Sequence, residues 1–116
     1  MSVTVAAERV AMSSEESQTA LLTVVLLPEG PVWIAKCPEL DLVTEMDAQD
    51  QALQAMLELI REYAEDYRQR AELFDRSPNR AHHKPYVERV SQCSSEEQLR
   101  ERLSIHYGRV HLQPVP

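Results

Sequence analysis

Four carboxylates, Glu39, Asp41, Glu45 and Asp47, crowd one short stretch at odd-numbered positions. In a regular strand, side chains alternate, so all four would share one face. Such a face could hold divalent cations for two-metal phosphodiester hydrolysis. That chemistry needs a partner acid from another element, and none is evident. A charged strand edge leading into a helix cap accounts for the same residues and is favoured. The other ligand-type residues are His82, His83, His106, His111, Cys37 and Cys93. Adjacent histidines rarely both chelate, and no CxxC or HxxxH spacing is present, so no metal or other cofactor is expected. Cys37 would need a neighbouring base to act as a nucleophile. None is identifiable, and a small buried core residue fits better. Trp33 reads as core rather than as an exposed anchor.

The elements that would carry these groups are clearest in the middle of the chain. Leu21 to Leu27 is a continuous apolar run rich in β-branched residues, read as a strand covered on both faces. Pro28, Glu29, Gly30 and Pro31 break it, and Val32 to Cys37 forms a second strand. So short a link permits only antiparallel pairing. Pro38 turns a corner, and Leu40 to Glu45 reads as a third strand. A helix follows, with Asp47 as its cap and Asp50 at the positive end of its dipole. Leu53, Met56, Leu57, Ile60, Ala64 and Tyr67 recur at spacings of three and four, giving one apolar stripe. Glu65 with Arg68, and Asp66 with Arg70, are spaced to pair on the opposite face. The pattern runs to about Phe74. The expected fold is α+β: a three- or four-stranded antiparallel meander with one long amphipathic helix across it.

Pro78 marks a change of composition. Before it lie fifteen acidic and six basic side chains; from it onward, four acidic and six basic. The net charges of -9 and +2 sum to the chain's -7. The division expected is residues 1–77 as the α+β domain and residues 78–116 as a small mixed extension packed on it or on a partner subunit. Ser94 and Glu97 have capping-box spacing, so a short helix should start at Ser95, with Leu99 and Leu103 on its apolar edge and Gly108 as its stop. Val110 to Gln113 is a possible last strand. Pro85 to Val90 fits either a helix or a strand. Ser2 to Val10 could be a short strand or a helical turn.

The acidic balance disfavours a generic nucleic-acid coater. Two cysteines are too few for a disulfide scaffold. With no membrane-length apolar run and no signal pattern, a cytoplasmic protein is expected.

Thr23 to Tyr67, TVVLLPEGPVWIAKCPELDLVTEMDAQDQALQAMLELIREYAEDY, resembles the HicB-like antitoxin family. The resemblance rests on the order of elements: a strand, a glycine-containing turn and an aromatic-bearing strand, then a Cys-Pro-Glu-Leu corner, a third strand and an acidic-capped helix. It implies a partial RNase H-like sheet and a non-catalytic regulator. The partner implied is a small basic messenger-RNA-cleaving toxin, blocked by protein binding, with homodimers or larger assemblies common. An orphan assembly module that kept the fold without a toxin is the alternative, and a small nuclease is the third reading. Glu39, Asp41, Glu45 and Asp47 are the residues assigned to partner contact, for their charge and position. Met46 stands where relatives often have Gly. Many relatives also carry a DNA-binding module. Tyr86 to Ser104 could be read as helix, turn, helix, but Glu96 and Glu97 would face phosphates, so operator binding is not expected.

Overall fold

A computed structural model describes residues 20–108. Strand β1 (Leu22–Glu29) turns through Gly30 and Pro31 into β2 (Val32–Cys37). Gly30 has φ of 59°, a left-handed conformation that glycine adopts without a Cβ penalty. A 3-10 turn, Pro38–Leu40, leads to β3 (Leu42–Met46). Helix α1 (Gln49–Gln69) and the short α2 (Ala71–Asp75) follow. A second 3-10 turn, Ala81–His83, opens onto α3 (Lys84–Ser91), α4 (Glu96–Glu101) and β4 (Leu103–Tyr107).

The sheet order is β3-β2-β1-β4. The first three strands form the expected antiparallel meander, with Leu27 opposite Ile34 and Ala35 opposite Thr44. The fourth corrects the purely antiparallel expectation. β4 runs parallel to β1, pairing Leu22 with Leu103 and Val24 with Ile105, so the sheet is mixed. Parallel neighbours need a long crossover, and α1 to α4 supply it. The Leu21 amide bonds to the Arg102 carbonyl at 2.6 Å, and the Gly108 amide to the Leu26 carbonyl at 2.8 Å, holding both ends of β4.

One sheet face is sealed. Leu22, Val24, Leu26, Ala35 and Cys37 are buried against Met56, Leu57 and Ile60 of α1. The stripe expected from spacing is buried throughout, with Ala52 and Tyr63 added to it. Each large apolar side chain so covered stabilises the fold by roughly 1.5–3 kcal/mol relative to exposure. Val87 and Val90 of α3 and Leu99 of α4 close the far side of the same core. The opposite sheet face is not sealed: Thr23, Val25, Leu27 and Ile34 are half-buried, and Val43 is 59% exposed. Coverage of β1 on both faces was therefore too strong an expectation. Trp33 lies on the α1 side, partly buried against the core.

Several local readings shift. Helix α1 ends at Gln69 rather than near Phe74. Arg70, at φ -121° and ψ 37°, breaks it, and Phe74 then packs on Tyr67 with ring centroids 5.0 Å apart. The N-cap of α1 is Ala48, with no side-chain cap bond, so Asp47 does not cap it. Asp50 instead accepts from the Gln51 amide at 2.9 Å. In the tail, Ser95 is the N-cap: its hydroxyl accepts from the Gln98 amide at 3.1 Å, while Gln98 Oε1 accepts from the Ser94 amide at 2.8 Å. The cap motif exists one residue later than Ser94–Glu97. The helix stops at Glu101, Leu103 belongs to β4, and Gly108 follows that strand. Pro85 to Val90 is helical, with Pro85 in the first turn, where its missing N–H costs nothing. Ser2 to Val10, Val110 to Gln113 and His111 lie outside the described residues.

Candidate functional site

The four carboxylates do not share a face. The alternation fails because Pro38 to Leu40 is a 3-10 turn and Asp41 adopts φ 57°, ψ 39°, so β3 starts only at Leu42. Glu39 turns inward: its two carboxylate oxygens accept from the Thr23 amide at 3.0 Å and the Thr23 hydroxyl at 2.7 Å. It clamps the corner to β1. Asp41 reaches across the chain, its Oδ2 lying 3.0 Å from Nε2 of His83. Glu45 and Asp47 are exposed, and neither carboxylate takes part in a hydrogen bond or ion pair among the described residues. Glu45 pairs across the ladder with Ile34, on the unsealed face of the edge strand β3.

That edge has its own composition. Val43 and Met46 are exposed apolar side chains, at 59% and 38%, interleaved with Glu45 and Asp47. Beside it, Met46, Asp50, Gln54, Ala55 and Glu58 line a shallow groove along the start of α1. Elsewhere on α1 the charges are largely paired, as spacing implied: Arg70 to Asp66 at 2.8 Å and Arg68 to Glu65 at 3.6 Å. The Arg70 hydrogen bond holds the Asp66 carboxyl below its usual range. Exposed pairs of this kind contribute little to stability. Glu45, Asp47, Asp50 and Glu58, none of them in an ion pair among the described residues, line β3 and the first turns of α1.

Asp41 ends a buried relay. His83, only 2% exposed, has Nδ1 at 2.6 Å from the Tyr63 hydroxyl and Nε2 facing Asp41. The Arg80 guanidinium lies 5.5 Å from the Tyr63 ring centroid and 5.2 Å from that of Phe74. Burial pushes the Tyr63 hydroxyl up, with Asp41 and Asp66 adding to the rise and Arg80 opposing it. Tyr67, buried beside it, donates to Asp75 at 2.9 Å, and its pKa is pushed up to about 12 by burial and then by that carboxylate. His82 adjoins His83 with ring centroids 4.3 Å apart. His106 meets Ser104 at 2.9 Å and joins no cluster of metal-ligating groups among the described residues. Sequence reasoning singled out Asp41 and both histidines but not their meeting. Tyr63 it missed altogether; its position in the α1 stripe signals only burial.

Cys37 is fully buried, and its thiol is pushed up to about 12, first by burial and then by the Glu39 charge. A neutral thiol of this kind is a packing residue. Tyr86 to Ser104 do contain a helix, a turn and a helix, α3 and α4, but α4 has only six residues and β4 begins at Leu103.

A family model described as antitoxin of toxin–antitoxin, RelE/RelB, TA system (PHD-like) matches residues 7–105. The chain belongs to this antitoxin family. A toxin is therefore its implied partner, in agreement with the regulatory role that the resemblance implied at the level of toxin–antitoxin systems. The antitoxin is also similar to a solved structure from Syntrophomonas wolfei subsp. wolfei, an antitoxin part of a proposed toxin/antitoxin system. That likeness covers 84% of this chain and 72% of the other, with 23% identity and a TM-score of 0.68, and it speaks for the fold. No curated protein matches the chain. Among the described residues of the antitoxin, no helix is long and apolar enough to cross a membrane.

Proposed function

We propose that this antitoxin neutralises a small basic messenger-RNA-cleaving toxin by non-catalytic binding in the cytoplasm, as the HicB-like resemblance implies. The observation that carries the reading is the exposed edge strand β3, which shows Val43 and Glu45 on its open face and Met46 beside Asp50 on its helix face, with Asp47 exposed at its end. Two unshielded apolar side chains provide contact area, and the acids select a partner of positive charge. An edge strand also offers unpaired backbone groups to an incoming chain. Of the four carboxylates assigned from sequence, Glu45 and Asp47 keep the role of contacts. Glu39 and Asp41 support the corner behind them. Inhibition is then occlusion: the negative edge covers the face with which the toxin grips RNA.

The test uses a small basic protein encoded beside this gene. Co-expression should yield a complex that weakens as salt rises, and growth arrest by the toxin should be relieved. Glu45→Lys with Asp47→Lys should weaken binding by about tenfold or more, chiefly through slower association. Failure to form a complex with any adjacently encoded protein refutes the toxin reading. Full affinity in the double variant refutes the placement at β3.

A further inference from the structure

We propose that Asp41, His82 and His83 form a binding site for a divalent transition cation of the zinc type. Asp41 Oδ2 lies 3.0 Å from His83 Nε2 and 3.9 Å from His82 Nε2. All three ligand atoms fall within 4.8 Å of one another. Metal–ligand bonds of about 2.0–2.2 Å place tetrahedral ligand atoms roughly 3.4 Å apart. The observed separations bracket that value. The adjustment falls to the two exposed members, Asp41 at 69% and His82 at 61% side-chain exposure. Two imidazoles and one carboxylate suit a borderline cation rather than calcium or magnesium.

The third ligand is the least adjustable and the best prepared. His83 is buried, and Tyr63 Oη holds its Nδ1 at 2.6 Å, so Nε2 is aimed at the opening where Asp41 and His82 stand. A hydrogen bond on the far nitrogen is the usual support for a ligating histidine, because it fixes the ring and the tautomer. Without a cation, the Nε2 proton is donated to Asp41, and the Tyr63 hydroxyl donates to Nδ1. With the cation bound, Nε2 gives its lone pair to the metal, the proton resides on Nδ1, and Tyr63 Oη accepts from it. Asp41 is equally fixed in backbone: it ends the Pro38–Leu40 turn, which buried Leu40 and the Glu39–Thr23 clamp hold in place. The ligands thus come from two set corners separated by 42 residues, Asp41 before β3 and the Ala81–His83 turn before α3. A bound cation staples the segment that begins at α3 to the strand layer. Three protein ligands leave a fourth position for water or for a donor from a partner.

The test uses the full chain freed of metal with EDTA, then titrated with ZnCl2 by calorimetry and followed by thermal melting. One equivalent should bind, and the melting temperature should rise by several degrees. Co²⁺ as a probe should give visible d–d bands without a thiolate charge-transfer band. His82→Ala, at an exposed position, should melt like the unsubstituted protein in EDTA yet bind Zn²⁺ about tenfold or more weaker. Asp41→Asn should weaken binding in the same direction. No saturable one-to-one binding, a thiolate band with Co²⁺, or unchanged affinity in His82→Ala each overturns the site.

Discussion

In Asp41→Ala two contributions disappear together: a side chain that tolerates the left-handed backbone, and the carboxylate that faces His83. Asp41 is the one non-glycine residue with positive φ among the described residues, at 57°. An ordinary L-residue pays roughly 1–2 kcal/mol there, and Asp or Asn less. Losing the carboxylate strands Nε2 of a histidine that is 2% exposed, a cost of about 1–3 kcal/mol for an unmade buried bond. Because Asp41 itself is exposed, water entering the vacated space offsets part of that, which favours the lower end. The expected total for Asp41→Ala is about 2–3 kcal/mol. Asp41→Gly removes the backbone cost and keeps only the hydrogen-bond loss, so it should lose about 1–2 kcal/mol. Asp41→Asn retains the conformation and a neutral acceptor, and should lose under about 1 kcal/mol. The assay is urea denaturation of the full chain in EDTA, with a common m value across the series. In a thermal melt each kcal/mol corresponds to about 4–8 °C for a domain of this size. An alanine variant within about 0.5 kcal/mol of the unsubstituted protein refutes the relay as a stabilising contact. A glycine variant no better than alanine refutes the backbone part of the reasoning.

The two free cysteines should separate cleanly. At pH 8, a disulfide reagent should label half-buried Cys93 and leave Cys37 until the protein unfolds, because burial keeps the Cys37 thiol protonated. Its folded pKa of about 12 lies above the ordinary thiol value of 9.0, so the stability it confers is complete below about pH 9 and is lost as pH climbs toward 12. Cys37→Ala should flatten that alkaline decline, as followed by denaturation midpoints between pH 8 and 11. At the start of α4, Ser95→Ala should cost about 1 kcal/mol by removing the bond to the Gln98 amide. Ser94→Ala should stay within about 0.5 kcal/mol, and equal losses in both would refute the assignment of the cap to Ser95.

The β1–β2 hairpin, β3 and the buried stripe of α1 are legible in the sequence because their causes are local. A run of β-branched residues, a Gly-Pro break and apolar positions three and four apart each act within a few residues. The ion pairs on α1 are legible for the same reason. Short helices near caps are harder: Ser94 and Ser95 both precede a glutamate or glutamine at the required spacing, and only the packing of Leu99 into the core sets the register. The break at Arg70 has no proline or glycine to announce it. It exists because Phe74 gains contact with Tyr63 and Tyr67 by folding back.

The antitoxin role was also within reach of the sequence, through the order of elements from Thr23 to Tyr67 and the acidic balance of the chain. Two things were decided only by tertiary structure. One is the mixed sheet: nothing near Leu103 reveals that its strand will lie parallel to β1, since that pairing is chosen by the crossover through four helices. The other is the fate of the four carboxylates. Sequence sees equal charges at similar spacing, but a 3-10 turn and one left-handed residue send Glu39 to Thr23 and Asp41 to His83, leaving Glu45 and Asp47 at the edge. Charge is a property of a residue, while the direction in which it points depends on backbone angles and on partners far away in the chain.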